Sequence, residues 1–140
     1  MRQAMHRFQV TTPGRGLTEV TDALRRWLAE QSTEDGLLTV WCRHTSASLI
    51  VGENASPEVL LDLEDFLARL APDGHRHRYR HDAEGPDDMP AHLRAAVTLT
   101  QLSIPVQAGS MLLGTWQGVF LWEHRHAPHR RELVLYLLGT

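Results

Sequence analysis

The chain has 140 residues, with 14 positively charged side chains that are all Arg, no Lys, nine His and a formal net charge of -3 at pH 7. This length predicts one domain with one core and excludes an enzyme with separate cofactor and substrate lobes. The absence of lysine excludes a Schiff base, a Walker-type phosphate lysine and an ammonium general base. The mild acidity argues against a protein held on nucleic acid or an anionic membrane by bulk charge.

The single cysteine, Cys42, cannot form a disulfide within the chain, and we interpret it as a buried thiol. The first ten residues lack the apolar run of a secretion signal, and no stretch approaches the length of a membrane span. We therefore expect a cytoplasmic protein without membrane or nucleic-acid partners.

Hydrophobic periodicity predicts strands and helices interspersed along the chain. A two-residue period or a short apolar run predicts strands over residues 4–10, 37–42, 49–51, 102–106, 111–113, 115–123 and 133–138. Helical spacing of apolar residues predicts helices over residues 17–31, 57–71 and 90–99. The expected fold class is α+β: a single compact domain over residues 1–140, with a mainly antiparallel β-sandwich or barrel-like sheet and two to three helices.

Local sequence signals predict where the second helix begins and where a long loop follows it. Ser56 before Pro57 is typical of a helix start, because the hydroxyl can cap and the proline lacks only an amide donor that the first turn does not use. Residues 72–89 hold few large apolar side chains and many charges, which predicts a long loop. Loops of that length are often functional.

The first polar cluster is the HTSAS segment, residues 44–48, followed by Glu53 and Asn54. A histidine at the end of an apolar strand, beside hydroxyls and free amides, indicates a phosphate or carboxylate site where lysine is absent. A capped turn with a satisfied histidine is an equal alternative. A hydrolase triad is disfavoured, because no nucleophile-elbow pattern surrounds Ser46 or Ser48.

The second cluster runs from Tyr79 to His92 and contains the segment DAEGPDDMPAH. His81 and His92 flank three aspartates, which suggests donors to a metal ion or to a diphosphate-bound Mg²⁺. The spacing matches no zinc signature, so a solvated loop is the favoured alternative. RNA binding by the arginines of residues 75–80 is disfavoured, because acids follow at once.

The third cluster is the strand GTWQGVFLWEH, residues 114–124. On a strand, Gln117 and Glu123 bracket an apolar patch on one face. A strand packed by aromatics, with Glu123 at its solvent end, is the equal alternative. The segment from His124 to His129 suggests a metal site by its i, i+2 histidines, but we interpret it as surface.

The motifs HTSAS, DDMPAH and GTWQG, followed by Glu123-His124-Arg125 and Arg130-Arg131, occur in this order along the whole chain. In these motifs the sequence resembles the YjbQ-like family, also called the secondary thiamine-phosphate synthase family. Gly52 and Ser56 stand where the family pattern usually has Asn and Asp.

The resemblance implies a homotrimer with sites near subunit interfaces and a weak thiamine phosphate synthase activity, which joins a pyrimidine methyl diphosphate to a thiazole phosphate. It also implies a set of site residues. The catalytic residues would be His44, His92 and Glu123, the phosphate-binding residues Thr45, Ser46, Glu53, Gln117 and Arg131, and the metal ligands His44, His81, His92 and Asp88.

Mg²⁺ or another divalent metal, and no organic cofactor, would complete that site around a small phosphorylated metabolite. Two further hypotheses stay open. One is a non-catalytic binder of a divalent metal or a phosphometabolite, and the other is a structural trimer whose histidines respond to pH.

Overall fold

The computed structural model describes all residues from Met1 to Thr140 and confirms the α+β class. Its helices are α1 (Thr21–Ala29), α2 (Pro57–Leu70) and α3 (Asp88–Ala96). No helix is both long and apolar enough to cross a membrane. The strands are β1 (Arg2–Thr12), β2 (Gly16–Glu19), β3 (Gly36–Cys42), β4 (Ala47–Glu53), β5 (Gln101–Gln107), β6 (Ser110–Met111), β7 (Gln117–Glu123) and β8 (His129–Gly139).

The strands form two antiparallel sheets that face each other. The larger sheet has the order β1-β8-β3-β5-β6, and the smaller sheet has the order β2-β7-β4. Alternate side chains of both sheets meet in one apolar core, which α1 closes with Leu24 and Leu28. The central strand β7 is buried on both faces: Val119 and Leu121 point into the core, and Phe120 and Trp122 point away from it, toward α2.

The first predicted helix begins four residues late. Residues 17–19 show helical spacing, yet they pair with β7 in the register Leu17↔Trp122, because pairing at the open edge of β7 satisfies their backbone groups. The helix begins only at Thr21. Helical periodicity was correct from that point on.

The capping signal at Ser56 also works differently from the prediction. Ser56 makes no side-chain cap, and its hydroxyl instead donates to Glu58 at 2.6 Å. Glu53 accepts the amides of Ala55 and Ser56 at 3.1 and 2.9 Å. The carboxylate of Glu53 therefore shapes the turn before α2.

The outer face of the larger sheet carries several exposed large apolar side chains. Met5, Leu37, Trp41 and Leu138 are exposed on it, and Tyr136 lies beside Met5 in register. Neither helices nor loops pack over these side chains as α2 does over the smaller sheet.

A charged side chain is buried where α2 and α3 pack against the smaller sheet. Arg94 of α3 is completely buried and forms a bidentate ion pair with Glu64 of α2. Trp122 Nε1–H donates to the same carboxylate at 3.0 Å. The Arg94–Glu64 pair therefore fixes α3 relative to α2 and β7.

Arg94 also determines the hydrogen position on a buried histidine. Its Nε–H donates to His124 Nδ1 at 3.0 Å, so the neutral imidazole carries its proton on Nε2. His124 Nε2 lies 2.8 Å from Ser48 Oγ and donates to it. A serine nucleophile needs the reverse arrangement, a histidine nitrogen that accepts the hydroxyl proton, so this pair is not a hydrolase dyad.

His124 makes the stability depend on pH. Burial, followed by the charge of Arg94, lowers its pKa to about 2, while the unfolded chain has a histidine pKa of about 6.5. Below pH 6.5 the unfolded state binds one more proton than the folded state, so stability falls with falling pH. The expected slope from His124 is about 1.4 kcal/mol per pH unit.

The test is urea unfolding at pH 7, 6 and 5. We expect His124→Gln to have a shallower slope than the wild type, with His75→Gln, a change at an exposed loop histidine, as the matched control. Nitrogen NMR of the wild type is expected to show the Nε2–H form of His124 throughout this range. Protonation of His124 above pH 5 in the folded protein would contradict the assignment.

Candidate metal centre

Three metal-binding side chains converge where the loop of residues 72–87 meets α3. One donor atom from each of His81, Asp88 and His92 lies within 4.8 Å of the others. His81 Nε2 is 2.6 Å from Asp88 Oδ2, and His92 Nε2 is 3.2 Å from the same oxygen. Asp88 is buried, whereas both histidines reach solvent. The sequence predicted these three residues as metal ligands, and the structure brings them together.

The backbone explains how the three side chains meet. Asp88 and His92 lie one turn apart in α3, so they share a helix face. The loop closes on itself through the Gly74 amide, which donates to the Pro86 carbonyl at 2.7 Å. That closure brings His81, seven residues before Asp88, back to the beginning of α3.

Arg125 holds the acidic side of this cluster. Its Nη1 donates to Asp88 Oδ1 at 2.8 Å, and its Nε donates to Asp87 Oδ2 at 3.0 Å. The His126 amide donates to the same Asp87 oxygen at 2.8 Å. Because Arg125 occupies Oδ1 of Asp88, the other oxygen, Oδ2, is left to face the two histidines.

His92 is oriented as a metal ligand. Its Nδ1 lies 3.0 Å from the Thr45 carbonyl, which only accepts hydrogen bonds, so Nδ1 carries a proton. In the neutral ring Nε2 is then a lone pair, and it faces another acceptor, Asp88 Oδ2. This contact is favourable only when a cation, either a proton or a metal ion, stands between the two atoms.

The charges around Asp88 keep its carboxylate ionised. Burial alone would raise its pKa, but the hydrogen bond from His81 and the charges of Arg125 and His92 outweigh it, and the pKa is lowered. The pKa of His81 is raised, mainly by its hydrogen bond to Asp88. Without a metal ion the Asp88 carboxylate is therefore paired with a proton on His81, which a bound metal ion would displace.

His44 lies apart from these ligands. It is half-buried in the wall of a cleft of about 540 Å³, which it shares with Trp41, Thr45 and His92. Its Nε2 accepts the Glu132 amide at 2.8 Å and is therefore occupied. Burial, followed by the charge of Arg131, lowers the pKa of His44 and keeps it neutral. The structure does not place His44 among the candidate metal ligands.

Glu123 and Arg131 are engaged with each other in the interior. Glu123 is completely buried, and its oxygens accept from Arg131, from the Thr12 hydroxyl and from two backbone amides. Burial would raise the pKa of Glu123, but these hydrogen bonds lower it. Arg131 also donates to the carbonyl and hydroxyl of Ser46. The pair fixes the HTSAS turn and leaves neither side chain facing the cleft.

Two predicted site residues lie elsewhere. Glu53 and Gln117 pair at one end of β4 and β7, whereas Ala47 and Glu123 pair at the other end. Six residue steps along a strand separate these ends by about 20 Å. Gln117 uses its side chain locally, accepting the Gly114 amide at 2.8 Å. Glu53 and Gln117 therefore do not join His81, Asp88 and His92 in this chain.

The segment from His124 to His129 differs from its interpretation as surface. His124 is buried, and Arg125 binds both aspartates of the cluster, because the turn after β7 folds over the beginning of α3. Sequence reasoning also missed Arg94 and Glu64. Their signal was a charged residue on the apolar side of each helix, which is typical of a buried ion pair.

Comparison with known proteins supports the resemblance. Residues 6–140 match the family model described as UPF0047 protein YjbQ-like. The UPF0047 protein sll1880 of Synechocystis is 49% identical over 138 residues, covering 99% of this chain and 93% of that protein. The UPF0047 protein YjbQ of Escherichia coli O157:H7 is 40% identical over 131 residues, covering 93% of this chain and 94% of that protein.

Solved structures agree with the fold. The hypothetical protein APE1520 from Aeropyrum pernix K1 superposes with a TM-score of 0.89 at 30% identity, covering 98% of this chain and 99% of that chain. The conserved hypothetical protein TT1486 from Thermus thermophilus superposes with a TM-score of 0.83 at 38% identity, covering 95% of this chain and 99% of that chain.

These relatives correct the expected activity. They are described by a family number alone, and a structural neighbour from Sulfolobus solfataricus is described as a YbjQ-like protein of unknown function. The prediction of thiamine phosphate synthase activity, which rested on the family resemblance, is therefore wrong. The family model matches nearly the whole chain, and the relatives share its sequence over almost their full length. The chain therefore belongs to the UPF0047 YjbQ-like family.

Proposed function

We propose that the protein binds a divalent transition-metal ion through His81, Asp88 and His92, and that it acts through this ion. The observation that carries the proposal is the 3.2 Å contact between His92 Nε2 and Asp88 Oδ2. Because the Thr45 carbonyl occupies Nδ1–H, that contact needs a cation between its two atoms. Arg125 donates to Oδ1 of Asp88, the oxygen that faces away from the histidines, and hydrogen-bonding partners of this kind commonly orient metal ligands.

The donor set favours zinc over magnesium. Two imidazole nitrogens and one carboxylate oxygen suit Zn²⁺, whereas Mg²⁺ prefers oxygen ligands and bound water. Tetrahedral ligands about 2.0–2.1 Å from an ion lie about 3.3 Å apart. The 3.2 Å contact of His92 with Asp88 already has this spacing, whereas His81 and Asp88, 2.6 Å apart, would have to separate. Three protein ligands leave a position open, as in catalytic zinc sites.

An ion at such a site supplies a Lewis acid that polarises a bound oxygen. The chain's own residues would keep that position usable. Asp88 stays ionised, the Thr45 carbonyl turns Nε2 of His92 toward the site, and the exposed edges of both histidines admit a small molecule.

Calorimetric titration of metal-free protein with Zn²⁺ tests the site. We expect one ion per chain, and we expect His81→Ala and His92→Ala each to weaken binding by more than about a hundredfold, beyond the effect of removing an outer partner. His75→Ala, at an exposed histidine six residues before His81, is the matched control and should bind like the wild type. Unchanged zinc affinity in both ligand variants would refute the site.

We also propose that the open face of the larger sheet joins copies of this chain into a homotrimer. The exposed side chains of Met5, Leu37, Trp41 and Leu138 support this, since contiguous apolar patches mark interaction surfaces. Trp41 also lines the cleft beside His92, so an assembly over this face would border the candidate site.

Native mass spectrometry tests the assembly. We expect the wild type to have the mass of three chains and Met5→Lys to shift toward single chains, because a buried ammonium without a partner is costly. Arg26→Lys, an exposed change on α1 away from this face, should keep the wild-type mass. A monomeric wild type at micromolar concentration would exclude the trimer.

A further inference from the structure

A further carboxylate, that of Glu84, lies beside the three candidate ligands. Glu84 Oε2 is 3.1 Å from His81 Nε2, the same nitrogen that is 2.6 Å from Asp88 Oδ2. Glu84 does not belong to the group of residues whose donor atoms all lie within 4.8 Å of one another. Its carboxylate therefore contacts the cluster from the His81 side, and in this position it is too far from at least one other ligand to share an ion with all three.

The backbone of Glu84 is fixed, although its side chain is 65% exposed. Arg125 Nη2 donates to the Glu84 carbonyl at 3.0 Å. The next residue, Gly85, has a φ of 100°, which side chains rarely allow, and its carbonyl accepts the Asp88 amide at 3.4 Å. The turn at Gly85 and the bond from Arg125 therefore hold Glu84 against the beginning of α3.

A bound metal ion would remove the present hydrogen-bond donor of Glu84. In the metal-free protein, a proton on His81 Nε2 lies between the carboxylates of Asp88 and Glu84. A metal ion takes the lone pair of Nε2 in place of that proton, so His81 can no longer donate from this atom. Ligands around a tetrahedral ion lie about 3.3 Å apart, so solvent in the open position would be the nearest new donor for Glu84.

We propose that Glu84 accepts a hydrogen bond from the solvent molecule that fills the open position of the metal centre. This inference rests on the proposed metal function. Glu84 is then a positioning residue, because the hydrogen bond fixes the orientation of that solvent molecule. The negative charge of Glu84 also makes the open position unfavourable for a small anion.

Azide binding to cobalt-loaded protein tests this role, since bound Co²⁺ has a visible spectrum that changes when azide replaces solvent. We expect Glu84→Gln to bind one Co²⁺ within about tenfold of the wild-type affinity. The variant should bind azide about tenfold more tightly, because azide no longer displaces a hydrogen bond to a charged group or lies beside a carboxylate.

Asp82→Asn is the matched control for the azide experiment. It removes an exposed acid of the same loop, two residues before Glu84. This variant loses the same charge as Glu84→Gln and should bind azide like the wild type. Circular dichroism checks that both variants fold.

A crystal structure of the zinc-loaded protein gives a second readout. We expect a carboxylate oxygen of Glu84 about 2.5–2.7 Å from the solvent ligand, the usual length of a hydrogen bond from O–H to a carboxylate. A Glu84 oxygen about 2.0–2.2 Å from the zinc ion would make Glu84 a fourth ligand and would contradict the proposal.

The azide titration separates failure of this inference from failure of the metal site. Equal azide affinity in the wild type and Glu84→Gln, or an equal gain in Asp82→Asn, would reject the role of Glu84 and leave the metal site intact. So would a cobalt-loaded wild type that does not respond to azide. Loss of Co²⁺ binding in folded Glu84→Gln would make Glu84 a ligand. A wild type that binds no Co²⁺ would remove the metal function and this inference with it.

Discussion

The guanidinium of Arg125 binds the carboxylates of Asp87 and Asp88 together, and the candidate centre depends on that pairing. Two adjacent acids at the beginning of a helix repel each other unless a cation lies between them. Arg125 supplies this cation from the turn after β7. Arg125 also holds the loop of residues 72–87, because its Nη2 donates to the Glu84 carbonyl at 3.0 Å. Arg125 therefore holds the end of the loop that carries His81 against the beginning of α3.

Backbone and side-chain partners divide the histidines into different roles. The Thr45 carbonyl fixes the proton of His92 on Nδ1 and turns Nε2 toward Asp88, the Glu132 amide makes His44 a donor through Nδ1, and Arg94 makes His124 a neutral buried group. In each case a group that can only donate or only accept determines which nitrogen carries the proton. Residue type alone therefore does not determine what a histidine of this chain does.

Much of this arrangement was predictable from the sequence. Periodicity predicted most strands, and the DDMPAH motif identified Asp88 and His92 as candidate metal ligands. The predicted helix began at Pro90, so it left out Asp88, which the structure places one turn before His92 in α3. The edge pairing of Leu17 was not predictable, since strand partners come from distant residues. The burial of Glu123 and Arg131 could not be predicted either. Two opposite charges eight residues apart have the same sequence pattern whether the ion pair is exposed or buried. Arg125 looked like a surface residue because its partners lie 37 and 38 residues away.

X-ray absorption at the zinc edge of zinc-loaded protein identifies the atoms around the ion and so tests whether His81, Asp88 and His92 bind it. We expect two imidazole nitrogens and one carboxylate oxygen at about 2.0–2.2 Å, with a further light atom from solvent. A cysteine sulfur at about 2.3 Å, which could come only from the single cysteine, Cys42, or a set of ligands without imidazole would rule out this site.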